Sequence, residues 1–191
     1  MKIIKLPDAL KNMNRVHLAK AVRNGSIFVY PTDTLYGIGC NAEVTPSVEK
    51  IAKMKGRVPD KAFSVIAPSK QWIAENSKIT SDVYKFIDNL LPGPYTVIVK
   101  ARLKTPYMVS SDGKMGVRIP KNEFCDFIRS QGVPFITTSV NLRDTPPACS
   151  LKDVPAALLQ IVDYVIDAGV LGGDSSRIFD ISGKDLVILR W

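Results

Sequence analysis

Residues 26–40 read Ser26-Ile27-Phe28-Val29-Tyr30-Pro31-Thr32-Asp33-Thr34-Leu35-Tyr36-Gly37-Ile38-Gly39-Cys40. Two apolar runs, 26–30 and 35–40, have the composition of strands, and the Thr-Asp-Thr loop between them opens on a proline. Just upstream, residues 14–24 predict a helix with Val16, Ala19 and Val22 inward and Gly25 as its stop. A helix, a strand, a polar loop and a second strand are parts of an α/β domain. Such domains carry their chemistry where strands give way to loops.

The same alternation runs through the chain. Thr45 and Pro46 open a helix as cap and first-turn proline, with Val48, Ile51 and Ala52 inward and Gly56 at its end. Phe63 to Ala67 reads as a strand, 81–91 as a helix bearing Val83, Phe86, Ile87 and Leu90, and Pro92-Gly93-Pro94 as a break before a strand at 95–100. A strand at 115–119, a helix at 122–131 and a strand at 134–138 follow. The last third gives a loop at 139–149, a helix near 151–162 interrupted or opened at Pro155, and strands near 164–167, 177–181 and 186–190. Strands outnumber helices and several neighbours are close enough for hairpins, so the sheet is expected to be mixed.

The 191 residues, 46% hydrophobic, can bury a sizeable core, and one domain spanning 1–191 is the expectation. The 26 Lys and Arg against 18 Asp and Glu give a net charge of +8, which favours phosphate-rich partners without choosing among them. Cys40, Cys125 and Cys149 are odd in number and widely spaced, which suggests neither a disulfide framework nor a zinc site and fits a reducing cytoplasm. No apolar run approaches the roughly 20 residues of a membrane span, and the start Met1-Lys2-Ile3-Ile4-Lys5 turns polar too soon for a signal peptide.

Several chemistries lack material. The single histidine, His17, lies on the first amphipathic helix and reads as a surface residue, which leaves nothing for a histidine triad or a histidine-rich metal site. Gly37-Ile38-Gly39-Cys40-Asn41-Ala42 matches a relaxed dinucleotide fingerprint, but the next helix starts at Thr45, too late for these glycines to place a pyrophosphate on its N-terminus. The phosphate loop GxxxxGK[ST] is absent.

Cations and hydroxyls remain. Lys55 and Arg57, two apart with Gly56 between, cannot share a helix face; they either converge on one anion, with Lys61 nearby, or complement a helix C-terminus as solvated charges. Arg118, within Gly116-Val117-Arg118-Ile119-Pro120, needs an anionic partner if it is buried, or faces outward from an edge strand. Thr137-Thr138-Ser139-Val140-Asn141 puts hydroxyls and an amide at a strand end with no base beside them. These are groups that bind and orient, or ordinary turn residues.

Taken together and in order, Pro31 to Gly39, Lys55-Gly56-Arg57, Pro92-Gly93-Pro94-Tyr95-Thr96, Val117-Arg118-Ile119-Pro120 and Ser139-Val140-Asn141 resemble the YrdC-like family across nearly the whole chain, most closely its short, single-domain threonylcarbamoyl-AMP synthase branch. The resemblance implies a twisted mixed sheet flanked by helices around a large, basic concave groove. It also implies a nucleotidyltransferase making threonylcarbamoyl-adenylate and pyrophosphate from L-threonine, bicarbonate and ATP with Mg²⁺. No tightly bound, protein-ligated metal is expected. A partner transferase would pass the threonylcarbamoyl group to tRNA, which the chain itself could also bind.

By that resemblance Lys55 and Arg57 are the catalytic cations, and Thr32, Ser64, Arg118 and Ser176 hold threonine. Lys55, Arg57, Pro59, Ser139, Asn141, Ser150 and Arg190 hold the nucleotide. The chemistry is self-consistent, because a carbamate is already ionised near neutral pH and attacks the α-phosphate without a histidine base. The loops 142–149 and Gly172-Gly173-Asp174 are candidate mobile walls that shield the carbamate from water. Two alternatives stay open: a non-catalytic tRNA- or double-stranded-RNA-binding protein, and a carbamoyl-adenylating enzyme using another donor.

Overall fold

The computed structural model describes residues 1–191 except 58–60, 103–105, 107, 143–144, 184 and 191. The chain opens with β1 (Lys2–Lys5), α1 (Leu6–Ala9), α2 (Asn12–Arg23), β2 (Phe28–Tyr30) and β3 (Gly37–Gly39). Then come α3 (Thr45–Met54), β4 (Ser64–Ile66), α4 (Lys70–Asn76), α5 (Ser81–Leu90), β5 (Tyr95–Lys100), β6 (Ser110–Ser111), β7 (Lys114–Arg118), α6 (Glu123–Arg129) and β8 (Phe135–Ser139). A 3₁₀ turn at Leu151–Asp153 leads to α7 (Ala156–Leu159), β9 (Tyr164–Asp167), β10 (Arg177–Asp180) and β11 (Val187–Arg190).

The strands form one mixed sheet in the order β1-β9-β2-β3-β8-β4-β7-β5-β10-β11, with β6 added to β7 off this path. Pairs β1·β9, β2·β9, β4·β7 and β5·β10 are parallel, and β2·β3, β3·β8, β4·β8 and β5·β7 antiparallel. Side chains along these strands alternate between two apolar clusters, as the period of two requires. Val29, Ile38, Val65, Val97, Val117 and Ile136 join the larger cluster, which α3, α4 and α5 cover through Val48, Ile51, Ala52, Ile73 and Ile87. Phe28, Tyr30, Ile66 and Phe135 face the other way, under α2 and α6, whose Leu18, Val22, Phe124 and Ile128 close a smaller cluster. Burying each such side chain contributes about 1.5–3 kcal/mol.

Local signals place the elements. Gly56 adopts φ +55 where α3 ends, and the Asn122 side chain accepts from the amides of Phe124 and Cys125 to start α6. Several sequence expectations shift. The helix expected at 14–24 is α2, which starts at Asn12, and Val16 is 59% exposed while Leu18 and Ala21 are buried. Thr45 is the first helical residue and the cap is Val44, which has no side-chain bond to offer. The expected helix near 151–162 is broken at Pro155, which lacks the amide to continue it, leaving the 3₁₀ turn and the four-residue α7. Strand β1 and helices α1 and α4 were not read from the sequence, although Ser69 caps α4 by accepting from the Trp72 amide.

The connection from β9 to β10 has to pass six strands. Strands lie about 4.8 Å apart and an extended chain advances about 3.4 Å per residue, so residues 168–176 have no slack to wander. Their contacts trace the route: Tyr36 Oη donates to the Gly169 carbonyl at 2.9 Å and accepts from the Ala168 amide at 2.9 Å, and the Leu171 amide donates to the Cys149 carbonyl at 2.8 Å. A Cβ on Gly173 would sit 2.5 Å from the Thr34 carbonyl oxygen, so only glycine allows this segment to press onto the 32–34 loop.

Candidate functional site

Where α2 and α6 do not reach, the face opposite the larger core stays open, and a cavity of about 330 Å³ lies on it. Its lining follows from the alternation along the strands. Val65, Val97, Val117 and Ile136 point into the core, so Ser64, Thr96, Arg118 and Thr137, each one position away, point into the cavity. Register sets their spacing: Ser64 lies opposite Thr137, and Val117 lies opposite both Val65 and Val97. Thr32, Thr34, Leu35, Tyr36 and Gly37 form one wall, and Ser175, Ser176, Ile178 and Arg190 another.

The Thr-Asp-Thr loop is tied internally. Thr32 Oγ1 donates to the Leu35 carbonyl at 2.7 Å and accepts from the Thr34 amide at 3.1 Å, with the Thr34 hydroxyl 2.9 Å away. The Thr32 hydroxyl proton is thereby used within the loop, so Thr32 lines the site and fixes the loop's shape rather than offering a donor. Arg118 is held by the same loop. Its Nη2 donates to Asp33 Oδ1 at 2.9 Å and to Thr34 Oγ1 at 3.4 Å, while Asp33 Oδ2 accepts from the Lys121 amide at 2.9 Å. The Arg118 and Asp33 side chains are 10% and 9% exposed. Arg118 Nε is buried and has no partner among the described residues.

The two cations flanking Gly56 do not meet at one point. Lys55 Nζ donates to the Ser139 carbonyl at 3.1 Å, the Asn141 carbonyl at 2.6 Å and Asn141 Oδ1 at 2.7 Å. It stands behind the cavity wall that Ser139 forms and holds the turn after β8 in place. Burial, and then the neighbouring Arg57 charge, lower its pKa to about 8. Arg57 does line the cavity. It lies 4.4 Å from the centre of the Phe63 ring and donates to the Ala62 carbonyl, and burial lowers its pKa too. Asn141 is not in the lining: its Oδ1 accepts from Ser139 Oγ at 2.7 Å and its Nδ2 donates to the Thr145 carbonyl at 2.7 Å.

Ser176 is buried; its Oγ accepts from Arg190 Nη2 at 3.0 Å and lies 2.9 Å from Thr96 Oγ1, while Arg190 Nε donates to the Ser176 carbonyl at 2.8 Å. Ser150 lies apart from the cavity lining. Its hydroxyl donates to Asp153 Oδ2 at 2.9 Å in a capping box that starts the 3₁₀ turn. Pro59 falls outside the described residues. Sequence reasoning missed Asp33 as the partner of Arg118 and gave no separate role to Thr34 or Thr96, while Thr137 was read only as one of the hydroxyls that bind and orient at the end of β8. The available signal was a hydroxyl or charge next to a core residue within otherwise apolar strands.

Other sequence readings have local outcomes. His17 is exposed on α2, with Nε2 2.7 Å from Tyr164 Oη. Gly37 and Gly39 lie in β3, where a Cβ on Gly39 would come 1.7 Å from the Ile136 carbonyl oxygen, so the fingerprint-like glycines serve strand packing. Among the described residues no group of three or more His, Cys, Asp or Glu is placed to hold a metal ion, and no helix is long and apolar enough to cross a membrane.

A family model described as Telomere recombination, covering Sua5, YciO and YrdC, matches residues 20–191. A protein of Methanocaldococcus jannaschii, provisionally named threonylcarbamoyl-AMP synthase, is 34% identical over 170 residues, covering 88% of this chain and 80% of that protein. Threonylcarbamoyl-AMP synthase of Vibrio campbellii is 28% identical over 172 residues, covering 87% and 89%. YciO of Escherichia coli, 25% identical, is named as uncharacterised. The solved structure of Pyrococcus abyssi Sua5 complexed with L-threonine superposes with a TM-score of 0.89 at 24% identity. It aligns with 100% of this chain, which spans only 57% of that longer one. The chain therefore belongs to the Sua5/YciO/YrdC family.

Proposed function

We propose that the protein forms threonylcarbamoyl-adenylate and pyrophosphate from L-threonine, bicarbonate and ATP, as a nucleotidyltransferase in the route to threonylcarbamoyladenosine in tRNA. The observation that carries this reading is Arg118, held by Asp33 on the lining of a hydroxyl-rich cavity. A guanidinium fixed by an ion pair on a hydroxyl-lined cavity suits the carboxylate of an amino acid. The names of the relatives and the L-threonine complex of the archaeal structure support the same substrate.

In this reading the threonine amine attacks the bicarbonate carbon and water leaves, giving a carbamate; a carbamate oxygen then attacks the α-phosphorus of ATP and pyrophosphate departs. Arg57 and Arg190, both in the cavity lining, face the charge that builds on the phosphate oxygens. Lys55 keeps the Ser139 turn in place from behind and adds positive charge. Mg²⁺ enters with ATP as part of the substrate, bound mainly through phosphate oxygens. The adenylate is then consumed by a separate transferase acting on tRNA.

Pyrophosphate release by the purified protein with MgATP, with and without L-threonine and bicarbonate, tests this. Release that needs both co-substrates and falls at least about tenfold in Arg118→Gln is expected. Release driven by carbamoyl phosphate without threonine, or tight RNA binding with no turnover, would replace the reading.

A further inference from the structure

Tyr30 puts a single polar atom into an aromatic cluster. Its side chain is fully buried, with ring centres 6.2 Å from Phe124 and 5.6 Å from Phe135. A phenylalanine would fill this space without taking a hydroxyl out of water, so the oxygen needs a reason. It donates to Thr137 Oγ1 at 2.8 Å, and no other acceptor is recorded for it among the described residues. Burial holds the phenol above its usual range, so it remains a donor at any physiological pH. The oxygen lies just beneath the cavity floor: a Cβ on Gly37, a lining residue, would come 3.1 Å from it.

The direction of this bond decides what Thr137 can do. If Thr137 donated to the phenol, the phenol proton would be buried without an acceptor, which is costly. Tyr30 therefore donates, one face of Thr137 Oγ1 is occupied, and the threonine proton is left to point into the cavity that Thr137 lines. Arg118, whose Nη2 is held by Asp33, lines the same cavity and adds a second group that only donates. A site that presents donors selects a ligand end made only of acceptors.

We infer that Tyr30 is a positioning residue for the amino-acid substrate: through the Thr137 hydroxyl it fixes a hydrogen-bond donor toward the substrate carboxylate. The inference rests on the functional reading above.

Calorimetric titration with L-threonine and with L-threoninamide, whose amide replaces the carboxylate, separates the two ideas. Tyr30→Phe is expected to weaken L-threonine binding roughly three- to tenfold. It should leave L-threoninamide unchanged or tighter, because the released hydroxyl can turn and accept from the amide. Thr137→Val should weaken L-threonine by about tenfold, Thr137→Ser should restore it, and Tyr30→Phe should have no further effect in the Thr137→Val background. The double variant should melt above Thr137→Val, since no phenol proton is then orphaned. Tyr30→Phe with the affinity ratio of the unaltered protein, or with an undiminished effect in the Thr137→Val background, overturns the inference. If Tyr30→Phe does not fold, failure of Thr137→Ser to restore what Thr137→Val loses overturns it. No binding of L-threonine by the unaltered protein removes the functional reading and the inference together.

Discussion

Arg118 and Asp33, 85 positions apart in the chain, form a 2.9 Å ion pair in which both side chains are at least nine-tenths buried. The pair joins the end of β7 to the loop after β2, so one contact both completes the fold and orients the guanidinium. Removing one partner of a buried pair leaves an uncompensated charge. Asp33→Ala should therefore cost about 3 kcal/mol or more, and it should weaken L-threonine binding in the protein that still folds. Urea unfolding beside titration checks this; loss of affinity without loss of stability would mean that Asp33 touches ligand instead.

The Lys55 ammonium holds two backbone carbonyls and gives up its proton near pH 8. Pyrophosphate release should fall as pH rises through about 8, and Lys55→Arg, always charged, should move that limb upward. Stability runs the other way. The folded pKa lies below the ordinary 10.5, so the unfolded chain binds more protons between about 8 and 10.5, and the penalty for burying Lys55 fades across that window. An alkaline limb unchanged by Lys55→Arg would free Lys55 of this role.

Glycines in β3 and in the β6–β7 turn should respond very differently to alanine. Gly39→Ala drives a Cβ to 1.7 Å from a backbone oxygen that cannot move without breaking the sheet, so about 3 kcal/mol is expected. Gly113, at φ +71, has open space around it, and alanine there should cost only about 1–2 kcal/mol of backbone strain. Equal melting temperatures would contradict the close approach of β3 to β8.

Along the 168–176 connection, Gly173→Ala should reduce turnover severalfold, because its Cβ meets the Thr34 backbone at 2.5–3.0 Å and displaces the loop that orients Arg118. Gly172→Ala, with nothing within 4 Å, should leave turnover unchanged. Comparable rates for the two would show that the 32–34 loop tolerates displacement.

Much of the molecule is legible in the chain. Strand β5 is read with its own limits because Pro92-Gly93-Pro94 stops the preceding helix and Tyr95–Lys100 is rich in strand formers. The inward faces of α3 follow from their spacing, and Gly56 marks its end. Edge strand β1 was missed because only Ile4 of its four residues is buried, and α4 because a seven-residue helix carries too few periods to register.

Hydrophobic periodicity and turn residues act over a few positions, so the sequence by itself determined the elements, the mixed α/β class and the polar motifs at strand ends. It also showed that Arg118 needs an anion if it is buried. Strand order depends on pairings between distant segments, and only the tertiary structure placed β4 and β7 between β8 and β5. That order turns Ser64, Thr96, Arg118 and Thr137 onto one uncovered face. It also decided that Asp33 is the partner of Arg118 and that Lys55 stands behind the Ser139 turn, because the cost of burying a charge is met by whichever opposite group or carbonyl the fold brings within about 3 Å.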